Sequence, residues 1–464
     1  LPLTGYLIRH IHWPLMERLK ENRTRVYLQE LRKSQHLDPG ELLNRQRRKL
    51  TALLRHAARH VPAYEEYAHE LTDDSHLREP ERLLQNLPVL TKSKFRETAD
   101  QYLSRGMHIS RLIPNRTGGS TGEPTRFYLD RPTVERYEAA RWLGLSWHGI
   151  RIGDPSVMIW GSPIELTQQQ ARRHRIKERF LKNRIMIPAY ELDENRLEQD
   201  LRLIRRFRPA YLYGYASALH MLAEMMINRG TPLQHQLKAV ISTAESLHEY
   251  QRDTIQAAFQ APVVNEYGAR DGGMIAYQCP AGRMHAFTEN GYLEVVDPVT
   301  FAPLPAGKPG LLLVTDLHNY AMPRLRYQLG DIAAFSPDTC SCGIQYPLLA
   351  QIDGREDDMF VSTRGHYVHG HYINHIVRNL EGFRTFQLIQ HKPHLLTLKL
   401  VKDAEKYSPA EESRLLSGIR SALGEDISIT VRYVEEIPPA ASGKRRYAIR
   451  EFPLTLGLNR FGNV

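Results

Sequence analysis

Four short apolar runs in the middle of the chain set its architecture: "SVMIW" (156–160), "AYLYGY" (210–215), "AVIST" (239–243) and "PVVNEYG" (262–268). They are short for helices and most carry β-branched or aromatic residues, so they read as buried strands. Between them lie stretches such as "ENRLEQDLRLIRRF" and "ASALHMLAEMMINRG", whose apolar residues recur at helical spacing. Buried strands alternating with helices are the α/β pattern, and 464 residues are ample for a core and more than one domain.

The flanks have other textures. Residues 1 to about 105 read as helical; "PGELLNRQRRKLTALLRHAARHVPAYEEY" keeps three- and four-residue spacing until Pro62 stops it. The first stretch, "GYLIRHIHWPLMERLKENRTRVYLQEL", is amphipathic and basic and contains Trp13. It suits packing on its own domain, on a partner or on a membrane surface. From Gly291, "GYLEVVD", "GLLLVTDL" and "DIAAF" read as strands separated by turns, a smaller β-rich subdomain. The C-terminal part reads as an α+β unit: "FRTFQLIQ" and "LLTLKLV" flank His391–His394 as a hairpin, and "ISITVRYV" is a further strand. "SPAEESRLLSGIRSAL" opens a helix with Ser408 as N-cap, Pro409 behind it and Glu411 at the third position. The Gly- and charge-rich "IDGREDDMF" is the joint chosen between units of 1–353 and 354–464.

Charge and cysteine usage narrow the class. The net charge of +10 is spread along the chain, which suits a solvated basic surface, nucleic acid or anionic small ligands. No apolar run approaches the roughly 20 residues of a membrane span, and the start lacks a charged region followed by an apolar block, so no secretory signal is expected. Three cysteines make a disulfide framework a poor fit and a cytosolic, reducing setting a good one.

"TGGSTGEPT" (117–125) is the first segment with chemistry. Backbone amides of a Gly-rich turn, with Ser and Thr hydroxyls, can hold phosphate oxygens, although many such turns hold nothing. It has no Walker lysine, so a polyphosphate bound there needs a cation from elsewhere. Four more segments follow: "NEYGARDGG" with Tyr267 and Asp271, "RYQLGDIAAF" with Asp331 after Gly330, "IDGREDDMF" with Arg355 and Asp358, and "ASGKRRYAIRE" with Lys444 on a Gly-Lys turn. Singly, each suits a turn cap, a surface ion pair or a solvated lysine.

In this order the segments resemble the adenylate-forming enzymes, most closely the phenylacetate–CoA ligase and CapK-like branch, over nearly the whole chain. The resemblance implies a large N-terminal α/β adenylation domain, with its helical region and β-rich subdomain, and a small mobile α+β C-terminal domain. It implies an enzyme that activates a carboxylic acid with ATP and Mg²⁺ through an acyl-adenylate. Thr117, Gly118, Gly119, Ser120, Thr121, Gly122 and Thr125 would close over the phosphates, and Lys444 would supply the missing cation. Tyr267-Gly268-Ala269-Arg270-Asp271 stands where the family carries Tyr-Gly-x-x-Glu. Tyr267 would pack on adenine and Asp271 help hold Mg²⁺, with Asp one methylene shorter than the usual Glu. Asp331 matches the ribose-binding acid, Arg355 the arginine near the ribose and α-phosphate, and Asp358 the hinge. "STAESL" matches the other adenine face through Ala244 and Glu245, and pocket residues are expected among Tyr213, Tyr215, Ile241, Asn265 and Gly268. After the hinge, "VSTRGHYVHGHYI" would face the active site in a second domain position, with Gly365 at a close backbone approach.

The second step is expected to pass the acyl group to CoA. The family's aromatic–Pro pair is replaced by His369-Gly370, which also admits a CapK-like transfer to an amine or hydroxyl acceptor. His366, His369, His371 and His375 suit surface histidines better than a metal cluster. Cys279-x₅-His285 and Cys340-x-Cys342 match Cys₃His structural zinc, a closed site without catalysis, and lie where zinc-bearing members of this branch carry their ligands. The alternative is plain thiols. A non-enzymatic, zinc-containing nucleic-acid binder is the remaining rival; it leaves the ordered motifs unexplained. The acid and the oligomeric state are not readable from the sequence.

Overall fold

The computed structural model describes residues 2–116, 125–160, 177–189, 194–355, 359–363, 367–369, 373, 376, 380, 382–438 and 446–452. Its strands are β1 (Ile113–Arg116), β2 (Arg126–Leu129), β3 (Ser156–Ile159), β4 (Arg184–Ile187), β5 (Tyr211–Tyr215), β6 (Ala239–Thr243), β7 (Val263–Ala269), β8 (Gly273–Gln278), β9 (Met284–Ala286) and β10 (Gly291–Val296). They continue as β11 (Gly310–Asp316), β12 (Tyr327–Phe335), β13 (Leu348–Arg355), β14 (Met359–Val361), β15 (Tyr367–His369), β16 (Phe383–Lys392), β17 (Leu395–Lys402), β18 (Ser428–Tyr433) and β19 (Ala448–Arg450).

The four apolar runs become β3, β5, β6 and β7, which pair in parallel with one another and with β4. β7 then turns back into β8, and the pairings beyond it are antiparallel. Both halves belong to one 11-stranded sheet in the order β10-β11-β12-β13-β9-β8-β7-β6-β5-β3-β4. The β-rich stretch after Gly291 is thus an extension of the same sheet, hydrogen-bonded to it through the short pairing of β13 with β9.

Helices cover both faces of the parallel half. Leu201, Ile204, Leu219, Leu222 and Ile255, from helices Glu194–Phe207, Ala216–Asn228 and Glu249–Phe259, pack on Val157, Leu212 and Val240. Tyr27, Leu31 and Leu143, from helices Thr24–Ser34 and Arg131–Trp147, share the other core with Tyr211, Tyr213 and Ile241. The helix Pro39–His60 is started by Asp38, whose carboxylate accepts the amides of Gly40 at 2.7 Å and Glu41 at 3.3 Å, with Pro39 at the first helical position. Its buried Leu50, Leu53 and Leu54 join Val295, Leu312 and Val314 of the antiparallel half, so the helical region is welded to strands far away in sequence.

The C-terminal residues form their own core. Phe360, Leu388, Leu398, Leu415, Ile419 and Leu423 lie together under the sheet β18-β17-β16-β19. The helix over it, Pro409–Leu423, starts where expected, with Ser408 accepting the Glu411 amide at 3.3 Å.

Candidate functional site

The parallel strands β3, β5, β6 and β7 end on one edge, and open α/β sheets bind ligands along that edge. At the end of β6 the chain turns sharply: Ala244 has φ of 66°, a left-handed conformation uncommon for a residue with a side chain. Glu245, next in line, accepts the amide of Ser217 at 2.8 Å, satisfying the start of helix Ala216–Asn228 where Tyr215 offers no side-chain cap. The strained turn is therefore braced from the neighbouring helix.

The β7–β8 hairpin carries most of the residues expected at the nucleotide. Gly268 has no room for a side chain: a Cβ there would sit 2.9 Å from the Gly273 carbonyl oxygen. Gly273, with φ of +78°, faces the ring of Tyr137 at a distance that excludes any other residue. Between them Asp271 is buried, its carboxylate accepting the Tyr327 hydroxyl at 2.9 Å and lying 3.8 Å from the Lys92 ammonium. The Asp271 carbonyl accepts Arg324 at 2.9 Å. Arg324 is fully buried and caged by Phe127, Tyr327 and Phe95 at 4.7, 5.4 and 5.7 Å. Lys92 also donates to the Leu329 carbonyl at 2.5 Å.

The curl of the sheet brings β12 over this hairpin although the two are not neighbours in strand order. The Tyr267 hydroxyl donates to Asp331 at 2.6 Å, joining the residue expected at adenine to the one expected at ribose. Arg355 is the register partner of Asp331 across β12 and β13. Thr125 is buried just before β2. β1 and β2, which flank the Gly/Ser/Thr segment in sequence, pair antiparallel with Arg116 opposite Arg126. Thr117, Gly118, Gly119, Ser120, Thr121 and Gly122 lie outside the described residues, as do Asp358, Gly365, His366, Gly370, His371, His375 and Lys444. His369 is described as the register partner of Met359.

The expected acid pocket is more polar at its base than its tyrosines suggest. Tyr213 is buried, and its hydroxyl donates to Glu266 at 2.5 Å. Thr243 donates to the same oxygen at 3.4 Å, and Arg141 lies 3.4 Å from it. Burial, then the nearby Glu266 carboxylate, holds the Tyr213 hydroxyl protonated far above its ordinary range; Arg141 opposes this. Ile241 is fully buried behind, and the Asn265 amide is taken by Gln278 at 3.0 Å. Trp160 lies between Tyr213 and Tyr215, with ring centroids 6.0 and 4.5 Å away.

A second cluster lies at the junction of β8, β9 and the 340–342 turn. Ligand atoms of Cys279, His285, Cys340 and Cys342 all fall within 4.8 Å of one another. Cys279 and Cys340 sulfurs are 3.7 Å apart, close to the about 3.8 Å edge of a tetrahedron with 2.3 Å metal–sulfur bonds. The Cys342 sulfur is 3.2 Å from Nε2 of His285. Nδ1 of His285 faces the Tyr346 carbonyl at 3.0 Å, which assigns the proton to Nδ1 and leaves Nε2 a lone pair. Burial raises Cys279, and raises Cys342 to about 12; at Cys340 burial is outweighed by hydrogen bonds from Cys342 and Cys279, and the thiol is lowered. Three converging sulfurs and a neutral imidazole form a donor set that a divalent cation satisfies, and Zn²⁺ fits it.

Comparison with known proteins follows the same lines. The fold is that of a 2-hydroxyisobutyryl-CoA ligase crystallised in the postadenylation state, with a TM-score of 0.68 and 21% identity over 88% of this chain and 89% of that one. Residues 360–451 match the family described as the CapK C-terminal domain. Protein CapK of Staphylococcus aureus is 26% identical over 372 residues, 79% of this chain and 80% of that protein. The chain is a relative of CapK and of the phenylacetate–CoA ligases. The phenylacetate-coenzyme A ligase of Thermus thermophilus is 34% identical over 169 residues, 35% of this chain and 38% of that enzyme.

In this CapK relative the structure adds residues that no motif announced. Lys92 and Arg324 converge on the hairpin from a helix start and from the stretch before β12, each separated from it by long sequence. Arg141 and Glu266 meet beneath Tyr213 from a helix and a strand. The signals available, a lysine after "LPVLT" and two arginines in "MPRLRY", are common in any basic chain.

Proposed function

We propose that this chain activates a carboxylic acid with ATP and passes the acyl group to the thiol of coenzyme A. The carboxylate oxygen attacks the α-phosphorus, the bond to pyrophosphate breaks, and an acyl-adenylate forms. The thiol sulfur then attacks the acyl carbon, AMP departs and the thiol proton is released. The observation that carries this reading is the Tyr267–Asp331 hydrogen bond beside Asp271, at the edge where the parallel strands end. It brings together the ring of Tyr267, the carboxylate of Asp331 and the buried carboxylate of Asp271, a grouping that supports a nucleotide site. The CapK relationship supports it, as do the phenylacetate–CoA ligases and a fold shared with a ligase captured with an acyl-adenylate and CoA.

In this reading Asp331 accepts the ribose hydroxyls and Arg355 serves the ribose and α-phosphate. Ala244, Glu245, Tyr267 and Gly268 frame the adenine, and the 117–125 connection wraps the phosphates. No enzyme nucleophile is required; the residues position the reactants and neutralise phosphoryl charge. Asp271 would hold Mg²⁺ directly or through water, where the ion would offset phosphate charge; with Tyr327 on one oxygen, the Asp271 carboxylate retains acceptor capacity. We infer further that residues 1–353 form the adenylation unit and 354–464 a unit that turns about Asp358 and carries Lys444. The Cys/His cluster holds structural Zn²⁺, and free thiols at metal-binding spacing suit the cytoplasm. Transfer to an amine or hydroxyl is the second reading, prompted by His369-Gly370 where an aromatic–Pro pair is expected.

The test is a pyrophosphate-release screen over carboxylic acids, with and without CoA. An acid that releases pyrophosphate and forms a thioester only with CoA supports the first reading. Adenylation with amide or ester formation supports the second. Conversion of ATP to ADP by every active preparation overturns both.

A further inference from the structure

Residues Pro2–Leu19 form one helical rod: Pro2–Leu7, a π-helical turn Ile8–His12, then Trp13–Leu19. Its inner side is fixed to the body. Gly5 abuts Gly153, where a Cβ would come within 2.9 Å of the Gly153 oxygen. Arg9 bonds Asp154 and the Ile152 carbonyl, both at 2.9 Å. Trp13 meets Trp142 edge-on at 6.2 Å, and Glu17 accepts the Arg25 amide at 2.9 Å.

The outer side is the reverse of a soluble surface. Leu3, Leu7, Ile11, Leu15 and Leu19 recur at every fourth position, joined by Tyr6; Leu3 and Leu19 are each 69% exposed and Ile11 57%. The other exposed residues from Leu3 to Glu21 are His10, Arg18, Lys20 and Glu21. Another exposed apolar side chain, Phe180 at 71%, lies in the segment that carries Lys177, Arg179 and Lys182, the last paired with the buried Glu178 at 2.8 Å. That segment abuts the same glycine, because Asn183 donates to the Gly153 carbonyl at 3.0 Å.

We propose that this face docks on an anionic lipid membrane, with the helix lying in the plane of the interface. A continuous apolar stripe with basic residues beside it is the pattern of interfacial helices. Among the described residues no helix is long and apolar enough to cross a membrane, so the helix lies on the surface. The charge selects the occupant. Arg18 and Lys20 at the end of the stripe outnumber the one exposed acid beside them, Glu21, and anionic headgroups neutralise that excess. The helix is already held by Arg9, Trp13 and Glu17, so binding orders nothing new.

The test is flotation of the full chain with large vesicles of phosphatidylglycerol and phosphatidylcholine in equal parts, and with phosphatidylcholine alone. The protein floats with the anionic vesicles and much less with the neutral ones. Leu7→Asp with Ile11→Asp lowers anionic-vesicle binding by about tenfold or more, with elution volume and melting temperature unchanged. Arg18→Glu with Lys20→Glu, which leaves the apolar stripe intact, abolishes the preference for anionic vesicles and covers the case in which the first variant fails to fold. Absence of flotation, or binding unchanged in the charge variant, overturns the proposal. So does a lipid-free dimer that Leu7→Asp dissociates, which would assign the face to a second copy.

Discussion

Cys342→Ser tests the metal cluster most directly. Cys279 and Cys340 are 61 positions apart, and the cluster ties the β8–β9 turn to the turn before β13. A cross-link closing a loop of that length removes unfolded-chain entropy worth about 4 kcal/mol. A unit of roughly 350 residues has a melting entropy of about 0.7 kcal/mol/K, so losing the link lowers the melting temperature by about 6 °C. The assay pairs elemental analysis of purified protein with thermal melts before and after a strong zinc chelator. Wild type carries one zinc per chain and falls by that amount on chelation. Cys342→Ser starts near the chelated value and falls little further, because both perturbations remove the same link. Pyrophosphate release at a temperature where both are folded stays close to wild type. Zinc-free wild type with all three thiols freely reactive, or chelation that leaves the melt unmoved, refutes the reasoning.

Asp331→Ala should weaken use of ATP by about 1.5–3 kcal/mol, roughly 10- to 150-fold in kcat/KM, through lost charge-assisted hydrogen bonds to ribose; an unchanged ATP titration removes Asp331 from the nucleotide site. Lys444→Ala should slow adenylation roughly a hundredfold or more while sparing transfer from a supplied acyl-adenylate; equal loss in both half-reactions contradicts a lysine that leaves after the first. The pH dependence has a defined sign. Burial depresses His220 from 6.5 to about 4 and also lowers His318 and His148, so the unfolded chain binds these protons first. Stability is therefore full above 6.5 and declines as pH falls toward about 4, and His220→Gln flattens the decline; melts that hold or rise across that window refute it.

Much of the fold was legible because its signals are local. The runs at 156–160, 210–215, 239–243 and 262–268 became adjacent parallel strands, and Ser408 caps its helix as read. The cysteines were legible for the same reason: two short pairs meet, and His285 and Cys342 lie 3.2 Å apart. The site's interior was not. Tyr267 and Asp331 meet because the sheet curls over strands that intervene between β7 and β12, and no spacing encodes a curl. Lys92, Arg324 and Arg141 are ordinary basic residues until burial and long-range packing select them. The Tyr213 hydroxyl bonds Glu266 at 2.5 Å, a pairing that depends on the adjacency of β5, β6 and β7 and that no local pattern announces.

The welding of the first helices to the antiparallel strands bears on how the chain is made. Helix Pro39–His60 leaves the ribosome early, yet the apolar partners of Leu50, Leu53 and Leu54 include Leu312 and Val314. Gln46 waits for the carbonyls of Thr288 and Gly291, and those of Gln85 and Leu87 wait for Arg326. At roughly 5–20 residues per second, that interval is about 10–50 s of synthesis with a leucine-rich face uncovered. The N-terminal region should therefore engage chaperones during translation. A fragment ending before β11 should aggregate, while the same fragment supplied with residues from β10 onward in a second polypeptide should be rescued.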